Sequence, residues 1–218
     1  MEKTKPAIVY RYGQGAYINL TNRCPTACSF CIKRRWEMDY RGNNLDLGGA
    51  EPSPEDIAGA LSREYAAAPF REMVFCGYGE PTMRFEELKE VCRLLRAGAV
   101  AGVPRDLRVR LNTNGLANLV TGRDAAPELA GLVDSVHVSL NTPDPAAWLE
   151  MMRPAAPYAE KGFESVLAFI RSSAGIMTET VATAVEKPGL DRERFAALAR
   201  ELGAEPRFRP MLEEENAD

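Results

Sequence analysis

Six short apolar runs punctuate this chain: AYINLT (16–21), EMVFCG (72–77), LRVRLNT (107–113), SVHVSLN (135–141), ETVATAVE (179–186) and PRFRPM (206–211). Each is short, and each is rich in the branched and ring side chains that pack well on a pleated surface, so each predicts a strand. Between them the apolar positions take helical spacing behind start signals. Ser53 precedes Pro54 and, three residues on, Asp56; Asp144 precedes Pro145; Asp191 stands ahead of Phe195, Leu198 and Leu202. Strand and helix in alternation predict a parallel sheet with right-handed crossovers, and six units are too few to close the usual eight-stranded barrel. The expected fold is α/β, a partial (β/α)6 barrel built as one domain over residues 1–218, with a charged tail at 212–218 that frays.

The 218 residues fit one layered core. With 27 basic against 31 acidic residues the net charge is -4, so no global basic field exists to hold a polyanion, and nucleic acid is not the expected partner. The start, MEKTKPAIVYRYGQ, has charges and Pro6 where a secretory segment needs an apolar run, and no stretch approaches the ~18 apolar residues of a membrane span. A cytoplasmic protein is expected. Five cysteines, an odd number, suit a reducing compartment where thiols act as ligands or nucleophiles.

In such a fold the active groups gather at the C-terminal ends of the strands. The loop after the first strand, NRCPTACSFCIKRR (22–35), places Cys24, Cys28 and Cys31 within eight positions. Thiolates suit zinc or iron-sulfur clusters, and a closed structural zinc site wants four ligands. No fourth follows: His137, the one histidine, sits mid-strand, and Cys76 and Cys92 belong to another βα unit. Three thiolates with an open coordination position are the better reading of the spacing.

Cys24-x-x-x-Cys28-x-x-Cys31 after a first strand, with Phe30 before the last cysteine, resembles the signature of the radical SAM superfamily. GYGEP (77–81), after the second strand, is similar to that family's Gly-Gly-Glu-Pro turn, and LNTNG (111–115) and VSLN (138–141) close the third and fourth strands as the family does. The wording of YINLTNRCPTACSFC, FCGYGEPT and RLNTNG looks most like the small TatD-associated radical SAM proteins. The resemblance implies a 4Fe-4S cluster on Cys24, Cys28 and Cys31. It also implies S-adenosylmethionine held near Phe30, Gly77, Tyr78, Gly79, Glu80, Asn112, Asn114, Ser139 and Asn141, with Glu80 taking the cofactor's ammonium. The activity so implied is reductive cleavage of S-adenosylmethionine to a 5'-deoxyadenosyl radical, which abstracts hydrogen from a substrate. An external electron donor such as flavodoxin or ferredoxin is implied, and the short barrel suits a large substrate or a partner. An activase placing a glycyl radical on a partner protein, and a non-enzymatic iron-sulfur electron carrier, are the alternatives.

Other residues read as structural. Cys92 shares helical spacing with Phe85, Leu88, Val91 and Leu95 and is expected in the core; Cys76 reads as packing, with hydrogen donation as the rival. His137 alternates with Val136 and Val138 as a barrel-lining or outer-face residue. Arg110 shares a strand face with Asn112, where it could meet a carboxylate. Lys33, Arg34 and Arg35 with Trp36 read as a solvated face more than as an anion site.

Overall fold

A computed structural model describes residues 5–212; the charged end of the expected tail, 213–218, lies outside the described residues. Its centre is a seven-stranded sheet. The antiparallel edge pair is β1 (Val9–Tyr12) and β2 (Gly15–Ile18), joined by a two-residue turn in which Gly13 takes φ +56°. The loop after β2 carries the cysteines into a single-turn helix α1 (Ile32–Arg35), then a small hairpin of β3 (Asp39–Tyr40) and β4 (Asn43–Asn44). The remaining units follow as helix and strand: α2 (Pro54–Ala67), β5 (Glu72–Phe75), α3 (Phe85–Arg96), β6 (Arg108–Thr113), α4 (Ala117–Thr121) and β7 (Ser135–Ser139). After these come α5 (Pro145–Met152), α6 (Ala156–Ala159), α7 (Gly162–Ala174), β8 (Glu179–Val185), α8 (Arg192–Glu201) and β9 (Glu205–Arg209).

The strand order is β1-β2-β5-β6-β7-β8-β9, and from β2 onward every neighbour is parallel. Six parallel strands thus lie in chain order, and the sheet ends at β1 and β9 without closing, as a partial barrel requires. Local chemistry sets the helix starts. Ser53 accepts from the Asp56 N–H while the Asp56 carboxylate accepts from the Ser53 N–H, a complete capping box; Asp144 and Asp191 cap α5 and α8 through Ala147 and Arg194.

Alternation along the strands sorts the two faces. Ile18, Met73, Phe75, Val109, Leu111, Val136, Val138, Ala182 and Ala184 join the helices in the main core. The opposite, inner face is polar. Arg110 on β6 reaches Glu72 on β5 at 2.8 Å and the Tyr17 hydroxyl on β2 at 3.1 Å. His137 on β7 sits between Arg110 (3.4 Å at Nδ1) and Glu179 of β8 (3.2 Å at Nε2), and Glu179 also accepts from Arg108 and from Ser135. This ladder bonds five strands across the lower half of the barrel and leaves its C-terminal mouth for other work.

The hairpin β3–β4 covers the β1 side of the mouth. Tyr40 packs on Tyr10 and Tyr12, with ring centroids 5.7 and 6.0 Å apart, and Trp36 stacks on Tyr40 at 5.8 Å. Among the described residues, no helix is long and apolar enough to cross a membrane.

Candidate functional site

The cysteine loop is held from three sides. The 45–51 segment holds one flank: Asn22 donates to the Leu45 carbonyl at 2.9 Å and accepts from the Leu47 N–H at 2.7 Å, while Arg23 pairs with Glu51 at 2.8 Å. The last turn of α5 and the segment after it hold the back through Ala27 N–H to Arg153 O (3.0 Å), Ser29 N–H to Met151 O (2.8 Å) and Ala155 N–H to Pro25 O (2.8 Å). The third side is the GYGEP turn, where the Glu80 N–H donates to the Arg23 carbonyl at 2.8 Å.

That third contact explains the glycines of the turn. A Cβ at Gly79 would stand 2.2 Å from the Thr21 carbonyl oxygen and 2.7 Å from that of Arg23; one at Gly77 would meet Asn19 Oδ1 at 2.5 Å. Neither glycine has positive φ. They are needed because the turn lies directly against the backbone of the cysteine loop, not because of an unusual conformation.

Cys24 is the most open of the three thiols; Cys28 and Cys31 are half-buried. The Thr26 hydroxyl sits 3.3 Å from Cys24 Sγ and 3.4 Å from Cys28 Sγ, and Cys28 Sγ also faces Met152 Sδ at 3.8 Å. Partial enclosure and then the nearby Glu80 carboxylate raise the Cys24 pKa, and burial pushes Cys28 up to about 11. Both are therefore neutral thiols at pH 7 that give up protons on binding metal. Among the described residues no three such side chains converge on one metal ion. A cubane does not ask for that, because each thiolate takes a different iron.

Glu80 is the other half of the site. It is 3% exposed. Its Oε1 accepts from the Thr82 N–H (3.1 Å), the Thr82 hydroxyl (2.8 Å) and the Thr113 hydroxyl (2.7 Å); among the described residues Oε2 accepts only from the Asn114 N–H (2.7 Å). No Lys or Arg pairs with it among the described residues, and burial raises its pKa in spite of the four donors. Oε2 keeps acceptor capacity beside Cys24, and a cation there would relieve the buried charge. The Asn114 side chain, 4.0 Å from Cys24 Sγ, closes this corner.

The other expected contacts divide. Asn112 and Ser139 lie on the inner face near the mouth; Asn112 Oδ1 accepts from Arg110 at 3.3 Å and Ser139 Oγ from Arg209 at 3.4 Å. Asn141 differs from the expectation. Fully buried at φ +66°, it donates to Ser139 O and Met152 Sδ and accepts from the Val185 N–H, so both ends of its amide are spent stitching β7 to β8. Tyr78 turns its ring away into a small core with Tyr10 and Leu45, and its hydroxyl donates to the Asp39 carbonyl. Phe30 packs on the main core under Lys187, whose Nζ lies 5.0 Å from the ring centroid and 3.2 Å from Ser29 Oγ.

Lys33 is neither solvated face nor anion site: its Nζ donates to the Asn22 carbonyl at 2.6 Å, bracing the cysteine loop from within. The side chains of Arg34 and Arg35 lie outside the described residues. Cys92 is buried in the helix layer, as its spacing predicted, while Cys76 faces the inner side of the barrel. Sequence reasoning missed Asn22, Glu51, Met152 and Lys187. Asn22 stands inside the motif itself and was within reach; the other three lie far away in sequence, with no local signal.

The profile of the radical SAM superfamily matches residues 18–202. The chain belongs to this superfamily. It is 34% identical over 153 residues to a probable RNA methyltransferase of Sorangium cellulosum, covering 66% of this chain and 34% of that protein. It is 25% identical over 103 residues to 7-carboxy-7-deazaguanine synthase of Caulobacter vibrioides, covering 47% of this chain and 42% of that one. Two structures of the radical S-adenosylmethionine methyltransferase TsrM from Kitasatospora setae superpose with TM-score 0.53 at 18% identity. One holds cobalamin and a 4Fe-4S cluster, the other tryptophan and an S-adenosylmethionine analogue. They cover 86% and 85% of this chain, which spans about a third of their length, and at that identity they show the fold. The superfamily takes its name from S-adenosylmethionine, and the 4Fe-4S cluster and the S-adenosylmethionine analogue are those of the TsrM structures.

Proposed function

We propose that Cys24, Cys28 and Cys31 anchor the cluster, that Glu80 receives the ammonium of S-adenosylmethionine, and that the product is a 5'-deoxyadenosyl radical used to abstract hydrogen from a substrate in the barrel mouth. The observation that carries this reading is the pairing of three thiols on one braced loop with a buried carboxylate that has no cationic partner among the described residues and still has acceptor capacity beside Cys24.

When bound, the reduced cluster supplies the electron that breaks the cofactor's sulfonium bond. The chain's own groups prepare for it. Cys24 and Cys28 shed their protons on ligation, and the bonds from Asn22, Glu51, Arg153 and Met151 fix the loop beforehand, so little ordering remains. Glu80 Oε2 accepts from the ammonium while Thr82, Thr113 and Asn114 keep the carboxylate from turning. Asn112 and Ser139 offer polar atoms from the inner face to the ribose and carboxylate. The ion-paired ladder below them closes the barrel floor against bulk water. The electron would come from an external donor of the flavodoxin or ferredoxin kind.

The TatD-associated likeness of the three motif stretches supports a narrower placement within the superfamily. Methyl transfer is a second reading, favoured by the 34% match to the probable RNA methyltransferase. Anaerobic incubation of the reconstituted protein with reductant and S-adenosylmethionine tests the first reading. Formation of 5'-deoxyadenosine and methionine supports it; an intact cluster with neither product contradicts it.

A further inference from the structure

Four arginines point inward from the strands: Arg108, Arg110, Arg207 and Arg209. The first three have carboxylate partners: Glu179 at 2.6 Å for Arg108, Glu72 at 2.8 Å for Arg110, and Glu205 and Glu179 at 3.6 and 3.8 Å for Arg207. Arg209 has none among the described residues. It stands at the C-terminal end of β9, opposite Val185 in register, at the open edge of the sheet and at the level of the site. Among the described residues its guanidinium makes one hydrogen bond, a long one of 3.4 Å, to the Ser139 hydroxyl two strands away. A guanidinium with five donors, exposed inside a concave mouth whose other inward arginines are neutralised, and with one weak hydrogen-bond partner and no carboxylate among the described residues, suits an anion.

We propose that Arg209 binds an oxyanion group of the substrate, a carboxylate or a phosphate, and so sets substrate choice at the open edge of the barrel. The proposal rests on the reading of the cysteine loop as the radical centre, since only that makes the bound anion part of a substrate. Arg209 is a specificity residue here, distinct from Glu80, which faces the cofactor's cationic end. Charge order across the mouth supports the division. The carboxylate near Cys24 suits the ammonium, and the guanidinium on β9 suits an anion entering from the unclosed side.

The test uses the reconstituted protein with S-adenosylmethionine bound and no reductant, so it requires no turnover, and its failure leaves 5'-deoxyadenosine formation a separate question. Phenylglyoxal modifies exposed, unpaired guanidiniums, and peptide mass spectrometry reads each arginine by itself. Arg209 is expected to react at least as fast as the exposed Arg105 and Arg171. Inorganic phosphate or acetate, whichever resembles the substrate group, is expected to slow it by about tenfold while leaving those two unchanged. The anion that protects tells phosphate from carboxylate. Slow modification of Arg209 without added anion would mean that a group of the chain already holds it, and would overturn the proposal; so would equal protection of all three arginines, or none by either anion. Arg209→Gln and Arg209→Lys guard the other side. Both are expected to keep S-adenosylmethionine affinity within about twofold, read by isothermal titration calorimetry of the unreduced protein, and a tenfold loss would assign Arg209 to the cofactor's own carboxylate instead.

Discussion

Replacing Glu80 separates its two roles. In Glu80→Ala four donors lose their acceptor. The hydroxyls of Thr82 and Thr113 can turn to new partners, but the N–H groups of Thr82 and Asn114 are fixed and buried. An orphaned buried donor costs ~1–3 kcal/mol, partly offset because a buried charge is no longer held. A net loss of about 3 kcal/mol follows, which for a chain of this size lowers Tm by about 6–12 °C. Glu80→Gln keeps a carbonyl oxygen for the Thr82 and Thr113 donors but sets its amide against the Asn114 N–H, so the loss is nearer 1–2 kcal/mol. It also removes the charge that an ammonium would seek, which weakens cofactor binding by about tenfold to a hundredfold. Thermal unfolding by circular dichroism gives the stability, and titration of the reduced cluster's EPR signal with S-adenosylmethionine gives the affinity. Unchanged cofactor affinity in Glu80→Gln with a fully loaded cluster would refute the reasoning and reduce Glu80 to a structural tie between β5 and β6.

Gly79→Ala drives a Cβ into two backbone carbonyls, so a loss of about 2–3 kcal/mol and of iron retention is expected. Gly59→Ala, mid-helix with only the flexible end of Arg63 nearby at 3.4 Å, should raise stability by about 0.5–1 kcal/mol in the same unfolding assay. His137 is held neutral: burial first, then Arg110 and Arg207, push its pKa down to about 4, against the pull of Glu179. The unfolded chain therefore binds the extra proton between about pH 4 and 6.5, and stability falls with falling pH across that window. Urea unfolding of apo-protein at pH 7 and 5 should show His137→Gln losing about 2 kcal/mol less than the parent, and equal losses would place the histidine elsewhere than in this ladder. Cys92→Ala, in the buried helix layer, should keep all its iron while losing about 1–2 kcal/mol; loss of iron there would mean a wrong ligand set.

The parallel strands and the capped helices were legible because each carries its own signal, branched residues or a Ser or Asp before proline. The antiparallel β1 and the hairpin β3–β4 were not foreseen. β1 hides in a segment that opens with charges and Pro6, although VYRYGQGAY alternates around a glycine turn; β3 and β4 are two residues each, below the length at which periodicity speaks. In the site, the cysteine spacing and the turn glycines could be seen, and the structure brings Cys24, Glu80 and Asn114 to one corner. What the glycines pack against, and that Asn141 ties two strands while Lys33 braces the loop, depend on contacts a linear pattern does not encode. Glu51 and Met152 join the site only because the 45–51 and 151–155 segments fold back upon it.

The central claim is that three thiols on one loop, and no others, hold the cluster. Iron and sulfide per chain after anaerobic reconstitution test it directly, in the parent, in the Cys24→Ala/Cys28→Ala/Cys31→Ala triple variant and in the Cys76→Ala/Cys92→Ala double variant. The account predicts about four iron atoms per chain in the parent and the double variant and almost none in the triple variant. Iron at parental stoichiometry in the triple variant, or its loss from the double variant, would contradict it.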